Sequence, residues 1–219
     1  MTPRWLGTVE YREALSRQRA HRDAVIAGEL PEEIWFLEHP PVVTLGRRAA
    51  PVDEAAIRSA GFDLVTTERG GLATCHEPGQ LVAYLLVRPR RGVRRLVCDI
   101  ESAVVATCSA LGVPTTRRVG TAGLWAAGGK LCSIGLHVRR GVAMHGLALN
   151  LVNDRRGFSL IAPCGEPGAP VTSVLAEAGR SPTPAEVWPI LADCLEEALH
   201  GGAEAADRRL AVDDCRAGE

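Results

Sequence analysis

The sequence predicts an α+β fold, a mixed and largely antiparallel sheet with flanking helices. Helical spacing appears near the two ends, in one central stretch and in a short segment at 53–60, and the rest of the chain reads as short β-type runs broken by glycine. A chain of 219 residues that is 46% hydrophobic can bury one sizeable core. We expect a single domain over residues 1–205 and a polar, frayed tail over 206–219.

Residues 10–28 have helical spacing and end at Gly28, while 34–38 (IWFLE) and 42–45 (VVTL) are β-type runs around Pro40-Pro41. A short helix at 53–60 leads to a strand near 62–67. Gly70-Gly71 then separates it from strands at 72–75 and 81–87. Residues 97–111 read as a buried helix ending at Gly112. Glycine-punctuated strands are expected at 115–119, 122–127, 130–138, 142–151 and 157–161, followed by helices at 171–178 and 184–200. No internal repeat or low-complexity linker interrupts this order.

No run of 18 apolar residues could span a bilayer, and the first residues lack the apolar core of a secretion signal, so a cytoplasmic protein without membrane association is expected. The seven cysteines are widely spaced without a CxxC pair or other zinc-ligand spacing, which argues against metal and disulfide frameworks and for free thiols. Residues 88–156 hold 12 basic against 3 acidic residues, whereas the flanking segments are acidic. Such a patch suits an anionic partner, or is a set of solvated strand ends and turns. With aromatics at 4% and no recognisable nucleic-acid motif, an acidic protein fits at least as well as nucleic acid.

Lys130 is the sole lysine beside 24 arginines, and it opens the β-type segment KLCSIGLHV after two glycines that would let another chain approach. An ammonium can lose its proton when desolvated, whereas a guanidinium effectively cannot, so the choice points to proton chemistry. Cys164, in Ala162-Pro163-Cys164-Gly165, is expected at an exposed turn. A free thiol with a pKa of about 8.5 needs a nearby cation or base to act as a nucleophile. Lys130 could serve as either, and the sequence does not choose. The loop from Arg69 to Val82 (RGGLATCHEPGQLV) surrounds Thr74, His76 and Gln80 with glycine and proline breaks and could offer backbone N–H donors to an oxyanion. It has neither Walker spacing nor a GxGxxG fingerprint. In the segment 144–150 (MHGLALN) a glycine inside a strand marks a bulge or a close approach by ligand or backbone.

Together, LEHPPVVTLGRR at 37–48, RGGLATCHEPGQLVAY at 69–84, GGKLCSIGLHV at 128–138, MHGLALN at 144–150 and APCG at 162–165 resemble the lipoyl(octanoyl) transferase family, also called lipoate–protein ligase B. The resemblance implies a fold shared with biotin and lipoate ligases. It also implies transfer of octanoate from octanoyl-acyl carrier protein to a lysine of lipoyl domains, the first step of lipoate cofactor biosynthesis. The acceptors would be the lipoyl domains of 2-oxoacid dehydrogenase complexes or the glycine cleavage H protein, and no cofactor or metal is implied. Carried over by position, Cys164 matches the acyl-carrying thiol and Lys130 the lysine that lowers its pKa. Arg69, Gly70, Gly71, Leu72, Ala73, Thr74, Cys75 and His76, Ser133, Ile134 and Gly135, and Gly146, Leu147 and Ala148 match the segments lining the substrate pocket.

The chain departs from the family pattern at Glu77, where glycine is usual, and at Leu85, where proline is usual. A carboxylate near Cys164 would oppose thiolate formation. The competing readings are an ATP-dependent lipoate or biotin ligase, a Cys-His hydrolase using His76 or His145, and a decayed acyl or carrier-protein binder.

Overall fold

The computed structural model describes residues 1–161 and 168–200; Cys164 with its neighbours at 162–167, Cys215 and the tail at 206–219 lie outside the described residues. The elements are β1 (Thr2–Thr8), α1 (Tyr11–Ala27), β2 (Glu33–Glu38), β3 (Val42–Leu45), α2 (Glu54–Ser59), β4 (Asp63–Thr66), β5 (Ala73–His76), β6 (Gln80–Leu86), α3 (Val93–Ala110), β7 (Thr116–Arg118), β8 (Thr121–Ala126), β9 (Gly129–Arg139), β10 (Val142–Asn150), α4 (Val174–Ala178) and α5 (Pro184–His200). Seven strands form the main sheet in the order β1-β2-β6-β10-β9-β8-β7, and β4-β3-β5 form a smaller one. Only β1–β2 and β3–β4 pair in parallel; every other pair is antiparallel, as the α+β reading expects.

The strands β2 and β6 are apolar between their polar end residues Glu33, Glu38 and Gln80 because both their faces are covered. Ile34, Phe36, Leu81, Ala83 and Leu85 point into one core with Ile100 and Val104 of α3 and Val187, Leu191 and Leu195 of α5. The alternate residues Trp35, Leu37, Val82, Tyr84 and Leu86 enter a second core with Tyr11, Ala14 and Leu15 of α1. This is the period-2 alternation of a strand with two helical neighbours. A third cluster joins Val43, Ile57, Leu64 and Cys75 of the small sheet and α2 to Phe158 and Ile161. The helix α1 stops where the sequence stops it: Gly28 is left-handed (φ 79°) and its N–H bonds back to the carbonyls of Ala24 and Val25.

Three elements differ from expectation. The strand β1 is an edge strand with little burial, so it has no apolar alternation to betray it. Helix α3 starts four residues early, after Gly92. The expected strand at 157–161 is a 3-10 helix over Arg156–Leu160, because Gly157 lets the backbone fold against the Cys75 thiol and the Phe62 ring. Its short apolar run is compatible with either structure. The expectation of free thiols holds for Cys75, Cys108, Cys132 and Cys194 but not for Cys98, which is disulfide-bonded. No helix among the described residues is long and apolar enough to cross a membrane.

Leu85, one of the two departures from the family pattern, is fully buried opposite Ile34 on β2 and fills the space above Gly146. Truncation to Ala leaves a cavity in the larger core. Denaturant unfolding of Leu85→Ala should show a loss of about 2–5 kcal/mol, with an unchanged m-value.

Candidate active site

The site is assembled by backbone meeting backbone at glycines. The N–H groups of Gly46, Arg47 and Arg48 donate to the carbonyls of Leu72, Arg69 and Gly71, which lays the turn after β3 along the 69–72 loop. A Cβ on Gly46 would sit 2.5 Å from the Gly71 carbonyl oxygen and 2.8 Å from Arg69 Nη1. The same loop docks on β9, where Gly70 N–H donates to Leu136 O (2.9 Å) and a Cβ on Gly135 would come within 3.0 Å of Gly70 O. Opposite Gly135 on β10 lies Gly146, whose Cβ would overlap the Ala83 carbonyl.

Where these segments meet there is a cavity of about 440 Å³, within the range of about 300–1,000 Å³ usual for small-ligand sites. Residues 69–74, His76, 133–135 and 146–148 all line it, together with Lys130, so the structure gathers the sequence-named pocket residues with one exception. Cys75 is turned away into the third core cluster, where burial pushes its thiol pKa up. Val82, Val97, Leu136 and Phe158 add apolar wall.

Lys130 stands on the cavity wall, and its surroundings explain the two glycines before it. Residues 170–172 run beside it: Lys130 N–H donates to Pro170 O (2.9 Å), Thr172 N–H donates to Lys130 O (3.0 Å), and Lys130 forms a parallel bridge with Val171. A Cβ on Gly129, at φ 134°, would overlap the Pro170 carbonyl, and one on Gly128 would meet Thr172 and Glu177. Gly128 N–H instead donates to Glu177 Oε1 (2.9 Å), which ties the turn to α4. The Lys130 ammonium lies 5.0 Å from the ring centroid of Trp125, its register partner on β8, a cation–π distance. Gly123 leaves room for the lysine stem, since its Cβ would fall 3.0 Å from Lys130 Cε.

Beneath the cavity the polar groups are held neutral or bonded. His76 Nδ1–H donates to Gln80 Oε1 (2.7 Å), and Gln80 Nε2 donates to Cys75 O and Asn150 Oδ1, which fixes the tautomer that leaves His76 Nε2 as an acceptor. His39 donates from Nδ1 to Val9 O and accepts the Tyr84 hydroxyl at Nε2, both at 2.6 Å. Burial drives the pKa of His39 down to about 4 and that of His145 to about 3, and pushes His76 well below its ordinary value. His145 is the strained member, with φ 62°, and neither ring nitrogen has a hydrogen-bond partner among the described residues. Arg69 is buried without a carboxylate among the described residues at ion-pair distance. It donates to the carbonyl and hydroxyl of Thr44 and to Gly70 O.

Residues 10–196 match the family described as the lipoyl protein ligase A/B catalytic domain. The octanoyltransferase of Geobacter sulfurreducens is 44% identical over 184 residues, covering 83% of this chain and 77% of the relative. That of Aromatoleum aromaticum is 47% identical over 168 residues, covering 75% and 71%. The chain belongs to this family. A lipoate protein ligase of Thermoplasma acidophilum superposes with a TM-score of 0.70 at 17% identity, over 91% of this chain and 84% of that one. A biotin protein ligase of Aquifex aeolicus gives 0.55 at 11%, over 90% and 70%. At those identities the two structures speak to the fold alone, which is the ligase-like fold expected from the sequence.

Within the lipoyl protein ligase A/B family the departure at Glu77 can now be read. Glu77 does not line the cavity. Its side chain is buried against residues 153–156, where it hydrogen-bonds Asn153 and the Arg155 backbone while Oε1 has no partner among the described residues. Burial raises its pKa, against the hydrogen bonds from Asn153 and the Arg155 backbone, which lower it. Sequence reading missed Trp125, whose partnership with Lys130 depends on the β8–β9 register, and the cavity residues Arg48, Val93 and Val97.

A folded-state carboxyl pKa above the unfolded value favours folding most when the group is protonated. The stability contributed by Glu77 is therefore full below the ordinary range near 4.5 and is lost as pH rises through the raised value. Glu77→Gln should keep the contacts and remove this dependence. Thermal unfolding from pH 4 to pH 7 should show the variant gaining on wild type with rising pH, and parallel curves would show that Glu77 ionises as freely folded as unfolded.

Proposed function

We propose that this octanoyltransferase takes its octanoyl group from octanoyl-acyl carrier protein, holds it as a thioester on Cys164, and passes it to a lysine of a lipoyl domain. The observation that carries this reading is the position of Lys130. It stands on the cavity wall with its backbone bonded to Pro170, six residues after Cys164. An extended chain of six residues reaches about 20 Å, a length that supports a thiol at position 164 serving this wall.

The Cys164 thiolate attacks the donor's thioester carbon, and the carrier thiolate departs and takes up a proton. The acceptor lysine, as a neutral amine, then attacks the acyl-enzyme; the Cys164 thiolate leaves and the amine's proton is released as the amide forms. Lys130 supports both steps, by attraction for the thiolate or by taking the proton as an amine. One thioester replaces another and then gives way to an amide, so no nucleotide is required. Leu72, Ile134 and Leu147 supply apolar wall for the acyl chain. Burying its seven carbons beyond the carbonyl contributes up to roughly 6 kcal/mol at ~0.8 kcal/mol each. Backbone N–H groups of the glycine-rich loop are candidates for the tetrahedral oxyanion.

Intact-protein mass spectrometry after mixing with octanoyl-acyl carrier protein and no ATP tests the reading. Wild type should gain one thiol-sensitive octanoyl group, Cys164→Ser none, and Lys130→Arg should acquire it at least about 100-fold more slowly, the usual scale for losing a positioned acid–base group. Modification only when ATP and free octanoate are supplied would favour the ATP-dependent ligase.

A further inference from the structure

We propose that the end of the cavity remote from Lys130 is a polar subsite that stops an apolar acyl chain at octanoyl length and accepts acyl groups whose far carbon carries a hydroxyl. This rests on the transferase reading and names what sets the chain length at that site. The strand register orders the lining. A Cβ on Gly123 would touch Lys130 Cε, and Gly123 pairs with Ser133, so the head of the lysine stands at the level of Ser133. There the lining is apolar, because Ala148 pairs with Ser133 and Val82 with Ala148. Three residues further along β9, at Leu136, the partner on β10 is His145, and Tyr84 pairs with the adjoining Gly146. From Gly123 to His145 the path runs three residues along and two strands across, about 14 Å at ordinary sheet spacings. An extended octanoyl thioester spans about 11 Å from sulfur to methyl, with its sulfur a hydrogen-bond length from the ammonium. The last carbon of octanoyl therefore reaches the polar end, and a longer chain must enter it.

At that end the polar atoms are left open. Thr74 Oγ1 and both ring nitrogens of His145 are buried without a hydrogen-bond partner among the described residues, and the two residues line the cavity at 8% and 2% exposure. The left-handed backbone at His145 breaks the alternation of β10, so that its ring lies beside Tyr84, 6.3 Å between centroids, on the α1 side of the sheet. Arg69 links the two residues. Its guanidinium is held by Thr44, the register partner of Thr74, and burial together with the Arg69 charge keeps the His145 ring neutral. Glu68 Oε2, 4.0 Å from His145 Nε2, is engaged by Arg19. A neutral imidazole and a hydroxyl each donate and accept, so they can bond water or a hydroxyl of the ligand. A methylene entering the same space satisfies neither, and leaving both unbonded outweighs its hydrophobic gain.

Acyl-enzyme formation from hexanoyl-, octanoyl-, decanoyl- and 8-hydroxyoctanoyl-pantetheine tests the assignment in wild type and Thr74→Val, with small donors so that docking of a protein plays no part. Below saturation the wild-type rate should rise about fourfold per methylene up to octanoyl. Decanoyl should then fall about tenfold or more below octanoyl, while 8-hydroxyoctanoyl stays within about threefold of it. Thr74→Val keeps the side-chain shape and removes an unpaired hydroxyl, so the fold should hold. It should raise decanoyl relative to octanoyl about fivefold and lower 8-hydroxyoctanoyl by a similar factor. A wild type that takes decanoyl as fast as octanoyl, or that rejects 8-hydroxyoctanoyl as it rejects decanoyl, would overturn the polar stop. So would a Thr74→Val profile superimposable on that of wild type. A wild-type enzyme that accepts no acyl group from any of these donors would sink the transferase reading itself, and this subsite with it.

Discussion

The rest of the structure depends on backbone approaching backbone without side chains between. At Gly46, Gly129 and Gly146 a Cβ would fall within about 2.5 Å of a carbonyl oxygen, and at Gly135 within 3.0 Å. Real Cβ atoms do not tolerate the first distance, so these glycines are required by contact, and only Gly129 also by a positive φ. The consequence is geometric. The 69–72 loop can lie on β9, residues 170–172 can lie against Lys130, and the space left between them is the cavity. Rigid elements on every side, with α3 and α5 packed on one face of the sheet and α1 on the other, fix that spacing.

The electrostatic character of the cavity follows from what is buried around it. The neutral histidines His39, His76 and His145 contribute hydrogen-bonding geometry without charge. Glu68, next to Arg69 in sequence, is drawn outward by a two-pronged bond to Arg19 that lowers its pKa to about 2, so it does not neutralise Arg69. Arg69 is held instead by neutral oxygens of Thr44 and Gly70. The described walls carry no carboxylate, an environment that suits the thiolate and the polarised thioester carbonyl of the proposed mechanism. The buried thiols Cys75 and Cys132 are pushed up by desolvation and Cys108 to about 12, so they are poor nucleophiles by comparison.

Much of this was legible in the sequence, for identifiable reasons. The strands β2 and β6 and the helices α1 and α5 announce themselves because their apolar period matches the faces they bury. The glycines before Lys130 are readable as a close approach because few other reasons put two glycines at the head of an apolar strand. Edge strand β1 was invisible because it buries little, and the 3-10 turn at 156–160 because its apolar run is satisfied by a different geometry. Trp125 could not be read as a partner of Lys130, nor Cys75 as turned away from the cavity, because both depend on strand register and face, which the sequence constrains only through its neighbours. Glu77 looked like a threat to the thiol from its position in the motif. Its side chain belongs to the 153–156 contact and does not line the cavity, while Cys164 itself lies outside the described residues.

The central claim is that Lys130 and Cys164 act as one unit. The most direct measurement is the pH dependence of Cys164 alkylation, followed at the level of its own peptide, in wild type and Lys130→Met. Coupling predicts a wild-type midpoint well below the ordinary thiol value of about 8.5 and a return toward that value in the variant. Superimposable profiles near the ordinary value in both proteins would contradict it.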